Sequence, residues 1–235
     1  MWESLCLCAK RVSGMIFRKK EKLTALKLYS IGADQSGIHR PNLVDLLLDF
    51  FSSKFGELPS SFVIHGPYGI PKGQDIGIRA FKNKLKSKGH DKYYALHGET
   101  ESKLGFEVLF EAKIGNESYS ELIIWFNPDL FSASLKDVAV EFQTCFYTSS
   151  GFDIEINPLK QTVTEDKINR TIFGGTSIEV SYENKQWIKG FKNGAFRKAD
   201  GKNLYSDIQF KEVVKQEPTT TFNKLGNLNY VEFGA

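Results

Sequence analysis

"LGFEVLFEAKIGNESYSELIIWFN", residues 104–127, decides how the chain is read. In its first part, 104–114, Phe106, Val108, Phe110, Ala112 and Ile114 recur at every second position, with Glu107, Glu111 and Lys113 between them. A period of two belongs to a strand that lays one face on a core. After the turn pair Gly115-Asn116, "YSELIIWFN" (119–127) is apolar at consecutive positions, as in a strand covered on both faces. The two segments predict a hairpin whose second strand is central in a sheet.

On the N-terminal side, strand-like and helix-like stretches alternate. "KLTALKLYSI" (22–31) suits a strand, and "PNLVDLLLDFFSSKF" (41–55) sets Leu43, Leu47 and Phe50 beside Val44, Leu48 and Phe51 on one helical stripe, with Pro41 in the first turn. "SFVIHG" (61–66) follows as a strand, "QDIGIRAFKNKLKSKG" (74–89) as a helix closed by Gly89, and "KYYALHG" (92–98) as a strand. Alternation of this kind predicts an α/β beginning with parallel neighbours. On the C-terminal side, "SLKDVAVEFQTCFYTSSG" (134–151) opens with a Ser134/Asp137 cap, aligns Leu135, Val138, Ala139, Phe142 and Phe146, and is expected to run as a helix to Gly151, before a strand in "FDIEIN".

Beyond about residue 160 the signals weaken. They give a short helix in "TEDKINRTIFGG" (164–175), a strand in "TSIEVSYE" (176–183) and a short helix around Trp187, Ile188 and Phe191. Two strands follow, in "NLYSDIQFKEVVKQ" (203–216) and "LNYVEF" (228–233). The expected fold is α+β: a mixed, largely antiparallel sheet with amphipathic helices packed on it and a looser C-terminal lobe. Residues 1–14 read as a weakly ordered leader before Met15, 15–160 as the main domain, and 161–235 as a lobe of the same unit.

Composition sets limits on function. At 235 residues, 41% hydrophobic and 25% charged, the chain has material for a sizeable core. A net charge of +3 and a pI near 8.6 are too mild to demand nucleic acid as a partner. Of three cysteines, two stand as Cys6-Leu7-Cys8, a spacing that offers neither a disulfide framework nor a zinc knuckle. There is no apolar run of about 18 residues, and Glu3, Lys10 and Arg11 interrupt any export signal. A cytoplasmic protein without membrane partner, metal or cofactor is expected.

Gly66, Gly69 and Gly73 between a strand and a helix suggest an anion cradle, yet the Lys-Ser/Thr pair of a nucleotide loop is missing, and Pro67 and Pro71 remove two donors. A turn is the expected role. His65 and His97 each end a strand before a glycine, so parallel strands would bring both to one rim, near Asp75, Glu99 or Glu101. Asp91 with Glu111 and Lys113 imitates a nuclease metal triad, as Asp129 does with Glu141, but strand and helix periodicity already explain these positions. Cys145 reads as a small residue on a helix face. Arg79, Lys82, Lys84, Lys86, Lys88 and Lys92 crowd one helix and its exit, while Ile78, Phe81 and Leu85 are left for the core. That cationic face is the expected partner-binding surface.

"ELIIWFNPDLF", "LKDVAVEFQTCFYTSSGFDIEIN" and "QWIKGFKNG" place a strand, an amphipathic helix, a strand and a short Trp-containing segment in succession. This layout, over about residues 20 to 200, resembles the cytoplasmic immunity proteins of bacterial polymorphic-toxin and type VI secretion systems. The resemblance implies a non-catalytic protein that binds and neutralises a cognate toxin; the basic charge balance departs from the acidic character of many such proteins. The alternatives are a metal-dependent hydrolase or nuclease with dispersed acidic residues, and a phage- or secretion-associated structural adaptor.

Overall fold

The hairpin lies in the middle of a large sheet. A computed structural model describes residues 22–32, 39–66, 69, 74–89, 92–156, 167–170 and 176–233. The leader at 1–14, His90, Asp91, Pro67, Pro71 and Gly73 lie outside the described residues. The strands are β1 (Leu23–Ile31), β2 (Ser61–His65), β3 (Ala95–Glu99), β4 (Gly105–Ile114), β5 (Glu117–Phe126), β6 (Ser150–Ile156), β7 (Lys167–Arg170), β8 (Thr176–Glu179), β9 (Lys202–Ser206), β10 (Phe222–Leu225) and β11 (Leu228–Glu232). β7 and β8 pair with each other, and the other nine form one sheet in the order β10-β11-β9-β6-β1-β5-β4-β3-β2. All its strand pairings are antiparallel. β5 is flanked by β1 and β4, and every residue from Tyr119 to Phe126 is buried.

Helices cover both faces. On the first lie α1 (Arg40–Phe50), continued by a π-helical turn over Phe51–Phe55, then α2 (Ile78–Lys88) and α3 (Leu135–Phe142). Their apolar stripes meet Leu26, Leu28, Phe62, Phe106, Leu122 and Ile124 from the sheet. Phe62 and Phe81 stack with centroids 4.2 Å apart. Full burial of one side chain of this size contributes about 1.5–3 kcal/mol. On the second face lie α4 (Tyr182–Lys189), whose Trp187 meets the Tyr29 ring edge-on at 5.0 Å, and α5 (Asp207–Gln216), whose Val213 packs with Tyr205 and Val231. The fold is thus α+β, as expected.

A bulge corrects the reading of β4. Its register against β5 shifts between Leu109 and Ala112. One extra residue exchanges the faces of everything beyond it. Phe106, Val108 and Phe110 face α1 to α3, whereas Ala112 and Ile114 join the second-face cluster with Tyr29 and Trp187. The single apolar face inferred for 106–114 is therefore two half-faces.

The expected parallel start is also corrected. After β2 the chain returns along that strand's outer edge, where Ile76 bridges Phe62 in antiparallel sense. α2 then carries it back to the His65 end: Tyr94 N–H donates to the His65 carbonyl at 2.8 Å. β3 consequently runs antiparallel to β2. Gly66 permits this close return, since a Cβ there, at φ +153°, would lie 2.6 Å from the Lys92 carbonyl oxygen.

Three element boundaries differ as well. α3 stops at Phe142, so Cys145 occupies a turn beyond it and Gly151 lies inside β6. Residues 167–170, expected within a helix, are β7. Residues 207–216, expected as strand, are α5.

Candidate functional site

α2 presents the cationic surface anticipated from its sequence. Phe81 and Leu85 are buried and Ile78 is half-buried, which turns Arg79, Lys82, Lys86 and Lys88 outward. Lys92, beyond the helix, is also exposed, and Lys84 is half-buried. The Lys84 carbonyl oxygen accepts from the Tyr93 hydroxyl at 3.0 Å, which ties the helix to the entry of β3. Arg79, Lys82 and Lys86 follow one another at three- and four-residue steps, so they form one stripe along the helix. Lys86 and Lys88, in the last turn, also complement the helix dipole.

The two histidines do not meet at one rim. The register sets His97 opposite Val63 and His65 opposite Ala95, so the imidazoles stand a diagonal step apart on antiparallel strands. His97 instead belongs to a charged cluster built across β3 and β4. Its Nδ1 lies 3.6 Å from Glu107 Oε2 and its Nε2 3.9 Å from Glu99 Oε2, while Lys103 Nζ reaches Glu99 Oε1 at 3.0 Å. The Trp125 ring packs beside the imidazole at 5.3 Å. Burial opposes the imidazolium, but the carboxylates of Glu107 and Glu99 outweigh it and hold the His97 pKa at about 9. The Glu99 carboxyl is correspondingly held below its ordinary range, first by His97.

Of the carboxylate patterns, Asp91 lies outside the described residues. Glu111 and Lys113 are exposed and pair with each other at 3.8 Å. Asp129, in the loop after β5, and Glu141, on α3, are both exposed on separate elements. Among the described residues no group of three or more His, Cys, Asp or Glu side chains could hold a metal ion, and no helix is long and apolar enough to cross a membrane. Burial raises the Cys145 thiol pKa, and its sulfur faces the Phe142 carbonyl at 3.5 Å.

A cleft that sequence reasoning missed runs between α4 and the strap at residues 195–200. One lobe measures about 690 Å³ and a second about 490 Å³; Gln186, Trp187, Phe196 and Lys198 line both. The strap has no regular structure, so its backbone groups are paired by side chains from elsewhere. Gln209 Nε2 donates to the Ala195 carbonyl at 3.1 Å, the Tyr205 hydroxyl to that of Arg197 at 2.9 Å, and Asn203 Nδ2 to that of Ala199 at 3.0 Å. Asn203 Oδ1 accepts from Ala199 N–H at 3.1 Å. Arg197 fixes the strap to α4: its guanidinium donates to buried Asn184 at 3.3 Å, pairs with Glu183 at 2.9 Å and lies over the Phe152 ring. No contiguous stretch of sequence signals it, because Asn203 and Tyr205 reach the strap from β9 and Gln209 from α5. Comparison of the chain with protein-family models and with curated proteins found no match.

Proposed function

We propose that the protein acts by binding another protein through the cationic face of α2, as an immunity protein that neutralises a cognate toxin. The observation that supports this reading is the division of labour on α2: its apolar positions are spent on the core, and Arg79, Lys82, Lys86 and Lys88 are presented together to solvent. Such a stripe raises the encounter rate with an acidic surface and rejects basic ones. No activated nucleophile is needed for inhibition; a rigid scaffold with a charged rim suffices.

The test is co-expression with the product of any toxin gene neighbouring the one for this chain. The wild-type chain should protect cells, and purified partners should associate more slowly as salt rises, by roughly tenfold between low and high ionic strength. Replacing Arg79, Lys82 and Lys86 together by Glu should slow association and flatten its salt dependence while melting stays unchanged. Protection and association rates equal to wild type in that variant would refute the role given to α2.

A further inference from the structure

We propose that the cleft between α4 and the 195–200 strap is a second binding site, and that it takes an extended polypeptide segment carrying a lysine or arginine. The inference rests on the lining of the cleft and stands whether or not α2 binds a partner.

Length is the first argument. The two lobes lie side by side with Gln186, Trp187, Phe196 and Lys198 in the walls of both, an elongated layout that suits an extended chain better than a compact molecule. Its walls are set before any ligand arrives, because the strap is bonded at Ala195, Arg197 and Ala199 to side chains of Gln209, Tyr205 and Asn203. Preorganisation of this kind lowers the ordering cost of binding.

Charge is the second. Carboxylates of Glu155, Glu183, Asp200 and Glu212 border the groove, against the cations Arg197 and Lys198. Arg197 is paired with Glu183, and Lys198 with Glu217 at 2.7 Å. Glu155 is matched by Lys22 at 2.7 Å and Glu212 by Lys215 at 2.5 Å. Asp200 is exposed and makes no ion pair among the described residues. Among the described charged groups that line the groove, Asp200 is left without an opposite charge, which favours a cationic side chain over an anionic one there.

Surface chemistry is the third. Tyr182 is 76% exposed on one wall, Phe196 is half-buried, and the floor is Trp187, whose indole N–H is committed to Asn184 at 3.2 Å. These rings accept the hydrocarbon stem of a lysine or arginine and an apolar neighbour. The side-chain amides of Gln186, Asn193 and Gln216 can donate to and accept from a peptide backbone lying between them.

The experiment uses the full chain and two fluorescein-labelled peptides of equal length, Gly-Ser-Lys-Phe-Lys-Phe-Lys-Ser-Gly and the same sequence with Glu for Lys, read by fluorescence polarisation. The lysine peptide should bind saturably and the glutamate peptide should not. Asp200→Lys and Tyr182→Ala, both at exposed positions, should each weaken binding by about fivefold or more, with Asp200→Asn intermediate and melting unchanged. Neutralising α2 with Lys82→Gln and Lys86→Gln should leave the affinity within about twofold, which separates this site from the one proposed above. Equal binding of both peptides, indifference to the Asp200 and Tyr182 changes, absence of saturable binding, or displacement of the peptide by the neutral oligosaccharide cellohexaose would each overturn the proposal.

Discussion

Replacing His97 by Gln should make stability less dependent on alkaline pH. In the folded chain the imidazole has a pKa of about 9, against an ordinary value of 6.5. Each tenfold change in proton affinity corresponds to about 1.36 kcal/mol, which puts the upper figure for this interaction at about 3 kcal/mol. The His97 side chain is 27% exposed, and its contacts of 3.6 and 3.9 Å exceed hydrogen-bond length, so about 1–2 kcal/mol is the expected size. A group whose folded pKa is raised gives stability that is fully present below its unfolded value and is lost as pH climbs through the folded one. The contribution is therefore complete below pH 6.5 and disappears through about pH 9. The lowered Glu99 carboxyl is the acid-side view of the same contact: its contribution is lost as pH falls, and the two do not add. Urea unfolding at about pH 6 should show wild type more stable than His97→Gln by about 1–2 kcal/mol, and at about pH 10 the two should converge. The imidazole Cε1–H resonance should titrate near pH 9. A midpoint near 6.5, or a stability difference unchanged between the two pH values, would refute the ion-pair account.

Two further outcomes follow from packing and capping. Gly105→Ala should destabilise by about 1–3 kcal/mol, because a Cβ there would lie 2.2 Å from Trp125 Cζ2 and 2.7 Å from the Gly98 carbonyl oxygen; an unchanged melting temperature would mean that β3 and β4 can part without cost. Ser206→Ala should cost about 1 kcal/mol by removing the reciprocal cap with Gln209 at the start of α5, and Ser206→Asp should recover most of it in the same thermal assay.

The sheet was legible wherever local pattern and burial agree. The β4–β5 hairpin could be read because alternation, a Gly-Asn turn and a doubly apolar run all point one way. α1 was equally clear, since Leu43, Val44, Leu47, Leu48 and Phe50 follow a helical period and are all buried. α5 was lost because Ile208 and Phe210 continue the every-second-position parity of Leu204 in the strand β9 just before it; the contrary signal was the Ser206 to Gln209 cap. The bulge in β4 leaves no local mark, because it depends on how β5 pairs with it. The antiparallel return before β3 was hidden because Ile76, read as part of the 74–89 helix, instead bridges Phe62 on the edge of β2, and the helix starts only at Ile78. Of the two surfaces, α2 was visible because its cations are contiguous, whereas the strap groove combines residues 154 to 216 through tertiary bonds that no window of sequence contains.

Among the described strands of the sheet, β1 comes first in the sequence and fifth across the width. Its hydrogen-bonding edges wait for distant partners, with Thr24 meeting Phe126 on one side and Leu23 meeting Ile156 on the other. During synthesis at about 5–20 residues per second, a strand as apolar as Leu23–Ile31 emerges well before either partner exists, an interval on the order of ten seconds. Non-local pairing of this kind also slows refolding, since the loop entropy is spent before the contacts form. A chain halted after α2 would expose β1 with both edges open, and aggregation of such truncated products is the hazard that this strand order creates.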